Sequence, residues 1–267
     1  MKALLFAAFL SASASAQVIE DFEHGNESLY ALYNGGDTMN IVASSAHDGA
    51  LGAEFATSGS SGWRLRTDVA TAPGNVYECF VRVRGSATVG RTYVGVGASS
   101  LGAWSAVFAP NTSQIILQNN AGLGFINVAT VPASFAADTW YRLRLDWAAN
   151  GDMTVELLDE TGPNVIATTG PVATGYTPAG GLALRGFTST GTFHDVDTFR
   201  KVNVVPPLTY CTAGTSTNGC VPVLSASAQP SASAATPCTL SVANLEGQKQ
   251  GLIFYGLDNS GFSPLPW

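Results

Sequence analysis

The chain is 267 residues long, with a net charge of −7, 12% charged residues and 29 glycines. Lysine occurs only at Lys2, Lys201 and Lys249, so the clustered positive charge that grips phosphate backbones is missing and nucleic acid is excluded as a partner. Few charges and many glycines suit a β-rich protein with many turns and exclude a helical bundle or a disordered chain.

Met1-Lys2 is followed by an apolar run, Ala3 to Leu10, and a small-residue stretch, Ser11 to Ala16. A basic start, a short apolar core and an Ala-x-Ala end predict a secretory signal peptide over residues 1–16, cut near Ala16, and hence a secreted or cell-surface protein. The run is shorter than the ~20 residues a bilayer takes, and no later segment is long and apolar enough to span one.

Short strand-like runs separated by turn signals then fill the chain to about residue 204. They are Val18 to Phe22, Met39 to Ala43, Ala53 to Ala56, Trp63 to Arg66, Val76 to Arg84, Thr92 to Val96, Ala103 to Ala109, Gln114 to Gln118 and Phe125 to Thr130. A hairpin over Thr139 to Leu158 follows, then Val165 to Thr168, Leu182 to Phe187 and Thr192 to Val202.

The hairpin is the clearest of these. Tyr141, Leu143, Leu145 and Trp147 alternate with Arg142, Arg144 and Asp146, and Met153, Val155 and Leu157 alternate with Thr154 and Glu156. A two-residue Asn150-Gly151 loop would put Glu156 on the apolar face. A three-residue loop, Ala149-Asn150-Gly151, pairs Trp147 with Met153, Leu145 with Val155, Leu143 with Leu157 and Arg144 with Glu156, and leaves Gly151 in the left-handed position. The sequence therefore predicts the longer loop. One buried face requires a second layer, so residues 17–205 are expected to form an all-β, two-sheet antiparallel jelly-roll sandwich.

Pro206 and Pro207 mark a linker over residues 206–209, and an incomplete β module is expected over residues 210–267. Cys211 and Cys220 close a short Gly/Thr/Asn-rich loop and are expected to form a disulfide. Cys238 has no evident partner. Cys79 shares a face with Tyr77, Val81 and Val83 and reads as a buried free thiol.

Six of the nine arginines come as Arg-x-Arg pairs on polar strand faces: Arg64/Arg66, Arg82/Arg84 and Arg142/Arg144. If their strands are neighbours, they form a stripe of guanidinium forks suited to the carboxylates or sulfates of an acidic polysaccharide. Trp63 and Tyr93 are the stacking candidates beside them, with Trp104 or Trp140 as further choices. The alternative is an outward face laced with cross-strand ion pairs, Arg144 with Glu156 and Arg82 or Arg84 with Glu78. His24, His47 and His194 carry no zinc-site spacing and read as surface or rim residues. No paired carboxylates at glycanase spacing occur: Glu156-Leu157-Leu158-Asp159-Glu160 is the nearest run. No nucleophile elbow or phosphate loop occurs either.

Val18 to Gly25, Ser45 to Gly52 and Pro73 to Val83 resemble the jelly-roll carbohydrate-binding modules of secreted glycanases. The hairpin and Phe193 to Phe199 look like the concanavalin A-like and laminin G-like superfamily. Tyr210 to Cys220 and Gly247 to Gly256 resemble a C-terminal module of exported bacterial proteins. In the binding modules a structural calcium joins the first and last strands, so the resemblance implies a calcium held by Asp21, Glu23, Asp48 and Asp195, with Asp197 beside them. Solvated acidic strand ends are the other reading. Together these features imply a non-catalytic protein that binds a polysaccharide or cell-surface glycan. A hydrolase or lyase with an unrecognised site and a structural surface or matrix component remain as alternatives.

Overall fold

A computed structural model describes residues 16–36, 39–56, 62–202, 223–226 and 240–244. The strands are β1 (Gln17–Glu20), β2 (Ala31–Tyr33), β3 (Met39–Val42), β4 (Gly52–Phe55), β5 (Trp63–Thr71), β6 (Asn75–Arg84), β7 (Arg91–Ser99) and β8 (Gly102–Ala109). They continue with β9 (Gln114–Asn119), β10 (Ile126–Pro132), β11 (Trp140–Trp147), β12 (Met153–Asp159), β13 (Val165–Thr168), β14 (Gly180–Phe187) and β15 (Phe193–Val202). Two antiparallel sheets result. One runs β13-β12-β11-β6-β15-β4-β3, with β1 on β15; the other runs β10-β9-β8-β7-β14-β5-β2. The only helical turns among the described residues are single 3-10 turns, and none is long enough to cross a membrane.

The expected two-sheet sandwich is the observed fold. Each predicted strand is present with ends shifted by a few residues. β2 is additional, three residues paired to β5, too short to show alternation in the sequence. Strand alternation puts Tyr77, Cys79, Val81 and Val83 of β6 and Leu143, Leu145 and Trp147 of β11 against Val94, Val96, Ala106, Phe108, Ile115, Leu117, Leu182 and Leu184 of the opposite sheet. Cys79 is a free, buried thiol within this layer, its pKa raised by burial.

The hairpin has the predicted register. Trp147 pairs with Met153, Leu145 with Val155, Leu143 with Leu157 and Arg144 with Glu156. Ala148 N–H donates to Asp152 O at 2.9 Å, leaving residues 149–151 as the loop, with Gly151 at φ +89°. The described residues from 16 to 202 belong to one compact unit. Beyond it, β16 (Val223–Ala226) and β17 (Leu240–Ala243) pair as a two-stranded ribbon. Cys211, Cys220 and Cys238, the linker and the signal-peptide segment 1–15 lie outside the described residues.

Candidate functional site

The outer faces of the two sheets carry different chemistry. On the eight-stranded sheet, outward positions of β6, β11 and β15 alternate with the core residues, and five arginines gather there with acids among them. Glu78, nearly fully buried, accepts from Arg142 (3.4 Å), Arg144 (2.9 Å) and Arg200 (2.6 Å). Burial alone would raise its carboxyl pKa. The hydrogen bond from Arg200 and the charges of Arg144 and Arg142 outweigh that and hold it below the usual carboxylate range. Arg144 also reaches Glu156 at 3.3 Å, as its cross-strand position predicts. Arg82 and Arg84 both donate to the buried Asp195, at 2.8 and 2.7 Å, and Arg84 also to Glu54. Their partner is thus not Glu78, as the sequence suggested, because β15 lies beside β6 and sets Asp195 opposite Arg82.

The remaining pair is elsewhere. Arg64 and Arg66 stand on β5, in the other sheet, so the six arginines do not form one stripe. Arg64 is buried and donates to Tyr30 O. Arg66 pairs with Glu20 and Asp68. Arg66, Arg82, Arg84, Arg142 and Arg144 are therefore ion-paired within the protein and Arg64 is buried, and internal pairing describes these positions better than an open sugar grip.

Outward positions on the seven-stranded sheet are apolar instead. Trp63, Leu65, Tyr93, Val107, Ile116, Leu123 and Ala183 make a second cluster on the face turned away from the core. The segment 120–125 folds over part of it. Trp63 Nε1–H donates to Leu123 O at 3.2 Å, and Phe125 stacks on the indole with centroids 6.1 Å apart. At 1% exposure Trp63 lies beneath that segment and presents no ring to a ligand. Trp104 is also buried. Trp140, half-buried on the eight-stranded sheet, is covered by Arg82, 4.3 Å above its ring.

Beside the covered part the face opens into a cleft of about 300 Å³, lined by Arg91, Tyr93, Asn111, Phe125, Arg185 and Phe187. The register of β14 against β7 builds it: Arg185 pairs with Tyr93 and Phe187 with Arg91, so each arginine stands opposite an aromatic residue across the strands. Arg185 packs over two neighbouring rings, its guanidinium carbon 4.9 Å from the Tyr93 centroid and 4.5 Å from that of Phe125. Burial, with the like charge of Arg91 adding to it, lowers the Arg185 pKa from its ordinary value. Arg91 is half-buried and its Nε–H donates to Asn111 Oδ1 at 2.8 Å. Phe125 is 51% exposed. Of the sequence candidates only Tyr93 lines this cleft. Arg91, Arg185 and Phe187 were missed, although Arg91-x-Tyr93 and Arg185-x-Phe187 are in plain view as alternating pairs.

The carboxylates expected to hold calcium do not converge. Glu23 Oε1 accepts from Ala50 N–H (2.7 Å) and Leu51 N–H (2.9 Å), and Asp21 Oδ1 from Glu23 N–H (3.1 Å). Asp195 is neutralised by Arg82 and Arg84. Asp48 offers its backbone N–H to Asp197 Oδ2, at 2.9 Å, as does His47 at 2.6 Å. Acceptors already engaged by donors do not fit a cation that requires several free oxygens. Among the described residues no group of three or more His, Cys, Asp and Glu side chains is placed to hold a metal.

The histidines divide. His24 touches Glu20, and His47 stacks on Phe80 at 3.5 Å and reaches Glu160 at 3.1 Å. His194, by contrast, is no rim residue. It is fully buried between Thr92 Oγ1 (2.9 Å) and Val89 O (2.8 Å), and burial lowers its pKa to about 4, so it is neutral at physiological pH.

Solved structures resemble this sandwich. A carbohydrate-binding module from Bacillus subtilis is 10% identical and aligns over 73% of this chain and 100% of its own, with a TM-score of 0.46. A legume lectin-like domain from Entamoeba histolytica is 11% identical over 74% of this chain and 100% of its own, with a TM-score of 0.46. A Bacillus subtilis protein of unknown function with a galectin-like fold is 12% identical over 65% and 88%, again at 0.46. No protein-family model and no curated protein matches the chain.

Proposed function

We propose that the protein is exported and binds a polysaccharide or cell-surface glycan, without cutting it, in the cleft on the seven-stranded sheet. The observation that carries this is the β7–β14 register, which leaves Arg91 and Phe187 half-exposed beside the exposed Phe125, over a floor formed by the buried Tyr93 and Arg185. Sugar rings offer apolar C–H faces flanked by hydroxyls. They need flat apolar surface together with a few fixed donors and acceptors, which the aromatic rings, the guanidinium groups and the Asn111 amide supply. The eight-stranded sheet supports the reading less well, since its guanidinium groups already donate to Glu78, Asp195, Glu54 and Glu156. Among the described residues the cleft lining carries no carboxylate, whereas glycoside hydrolysis ordinarily uses two. Export rests on the sequence of residues 1–16.

The test is retention on a glycan array and retardation in polysaccharide gels, with the intact protein and a Phe125→Ala variant. Phe125 is exposed, so its truncation spares the core. Loss of one stacking platform is expected to weaken retention about tenfold. No retention by any glycan, or retention that Phe125→Ala leaves unchanged, would refute the proposal.

A further inference from the structure

The arginines of this protein divide by partner. Arg66, Arg82, Arg84, Arg142, Arg144 and Arg200 each meet a carboxylate. Arg91 does not. Among the described residues its one hydrogen-bond partner is the neutral Asn111, which takes the Nε–H and leaves the terminal nitrogens of the fork without an acceptor. Arg91 stands diagonal to Arg185 across the β7–β14 pair, so two positive charges share one cleft in a chain whose net charge is −7. The Arg91 charge meets no carboxylate among the described residues, and an anion at its terminal nitrogens would supply one. Phe125 and Phe187 line the same cleft and add apolar surface that a bare ion would not use.

We infer that this cleft selects a sugar bearing a carboxylate or sulfate group, gripped by the Arg91 fork with Arg185 behind it while its ring lies against Phe125 and Phe187. This deepens the glycan-binding reading and rests on it. The Asn111 carbonyl oxygen holds Arg91 at its Nε, which leaves the two terminal nitrogens for the paired hydrogen bonds a planar carboxylate or a sulfate face accepts. Arg185, buried and packed over the Tyr93 and Phe125 rings, has little freedom to lose when a ligand arrives. The acidic group is thereby moved from the six arginines of the paired motifs to two arginines that those motifs omit.

The experiment compares charged sugars with their uncharged counterparts on the intact protein. Hexagalacturonate is set against its methyl ester, and a heparin hexasaccharide against its desulfated, carboxyl-reduced form, by calorimetry at low and high salt. The acidic member of a pair is expected to bind at least about tenfold more tightly, and to lose that margin as salt rises. In Arg91→Gln the ratio of acidic to neutral affinity is expected to fall toward one, and in Arg91→Lys to recover in part. Both variants are expected to fold, the side chain being half-buried at the surface, and thermal melts check this. Equal binding of acidic and neutral members, or a ratio that Arg91→Gln leaves intact, overturns the anion assignment while glycan binding stands. Binding of neither member, with no retention elsewhere on a glycan array, overturns both.

Discussion

Asp197 and His194, on the same strand, titrate in opposite senses. Burial pushes the Asp197 carboxyl up to about 6, although the backbone N–H groups of His47, Asp48 and Thr198 partly offset it. Its folded state holds a proton that the unfolded chain has released between pH ~4 and ~6. The stability it contributes is therefore present below pH ~4 and lost as pH rises through about 6. His194 is the reverse. Its pKa is lowered to about 4, so its contribution is present above pH ~6.5 and lost as pH falls through about 4. The two slopes cancel in large part between pH 4 and 6. Asp197→Asn removes one of them, and the melting temperature of the variant is expected to climb more steeply from pH 4 to 6.5 than that of the parent. Melts at half-unit pH intervals check this, and parallel profiles would show that Asp197 titrates as an ordinary surface acid.

At the scale of the element, the hairpin shows what alternation can specify. One face of β11 and β12 is buried, so a one-residue slip would turn Trp147 and Leu145 to water, and the loop length follows from that constraint alone. Gly151 is fixed twice over. Its φ is +89°, and a Cβ there would lie 2.6 Å from the backbone carbon of Gly175. Gly162 also has a positive φ, +84°, but meets nothing within 4 Å. Gly151→Ala is therefore expected to cost about 2–3 kcal/mol and Gly162→Ala about 1 kcal/mol, the difference being the clash rather than the dihedral. Denaturant titration orders them, and equal costs would mean that the 174–176 segment yields freely. The same logic marks the limit of the sequence. Alternation says that Arg64, Arg82 and Arg142 leave their strands on the polar side. It cannot say which strands are neighbours, because β5 joins one sheet while β6 and β11 join the other. The cleft was hidden for that reason: Arg91-x-Tyr93 and Arg185-x-Phe187 gain meaning only when β14, far along the chain, is laid antiparallel to β7. Trp63 misled in the opposite way, since an aromatic on an outward position is ordinarily available, and here the 120–125 segment covers it.

For the molecule as a whole, the question is how a sandwich whose first and last strands lie together is closed. Backbone pairing of β1 with β15 does part of this, and the Arg66–Glu20 ion pair ties β5 of one sheet to β1 of the other. The loop that carries His47 and Asp48 is held to β15 by the Asp197 carboxylate, and Ser45 Oγ–H donates to Asp195 at 2.8 Å. Glu23 fastens the Ala50–Leu51 turn in the same manner, through backbone N–H groups. The carboxylates of Glu20, Glu23, Asp195 and Asp197 at this junction thus accept from guanidinium, hydroxyl or amide hydrogens, the roles a bound cation would otherwise fill with its charge. Binding of a cation stabilises the folded state in proportion to its occupancy, so its removal would lower the melting temperature. The melting temperature is therefore expected to be the same with excess calcium and after exhaustive treatment with a chelator, to within a degree or so. A fall of several degrees on chelation, restored by calcium, would mean that these acids turn from their N–H donors to a shared ion, and that the fold is closed by metal rather than by hydrogen bonds.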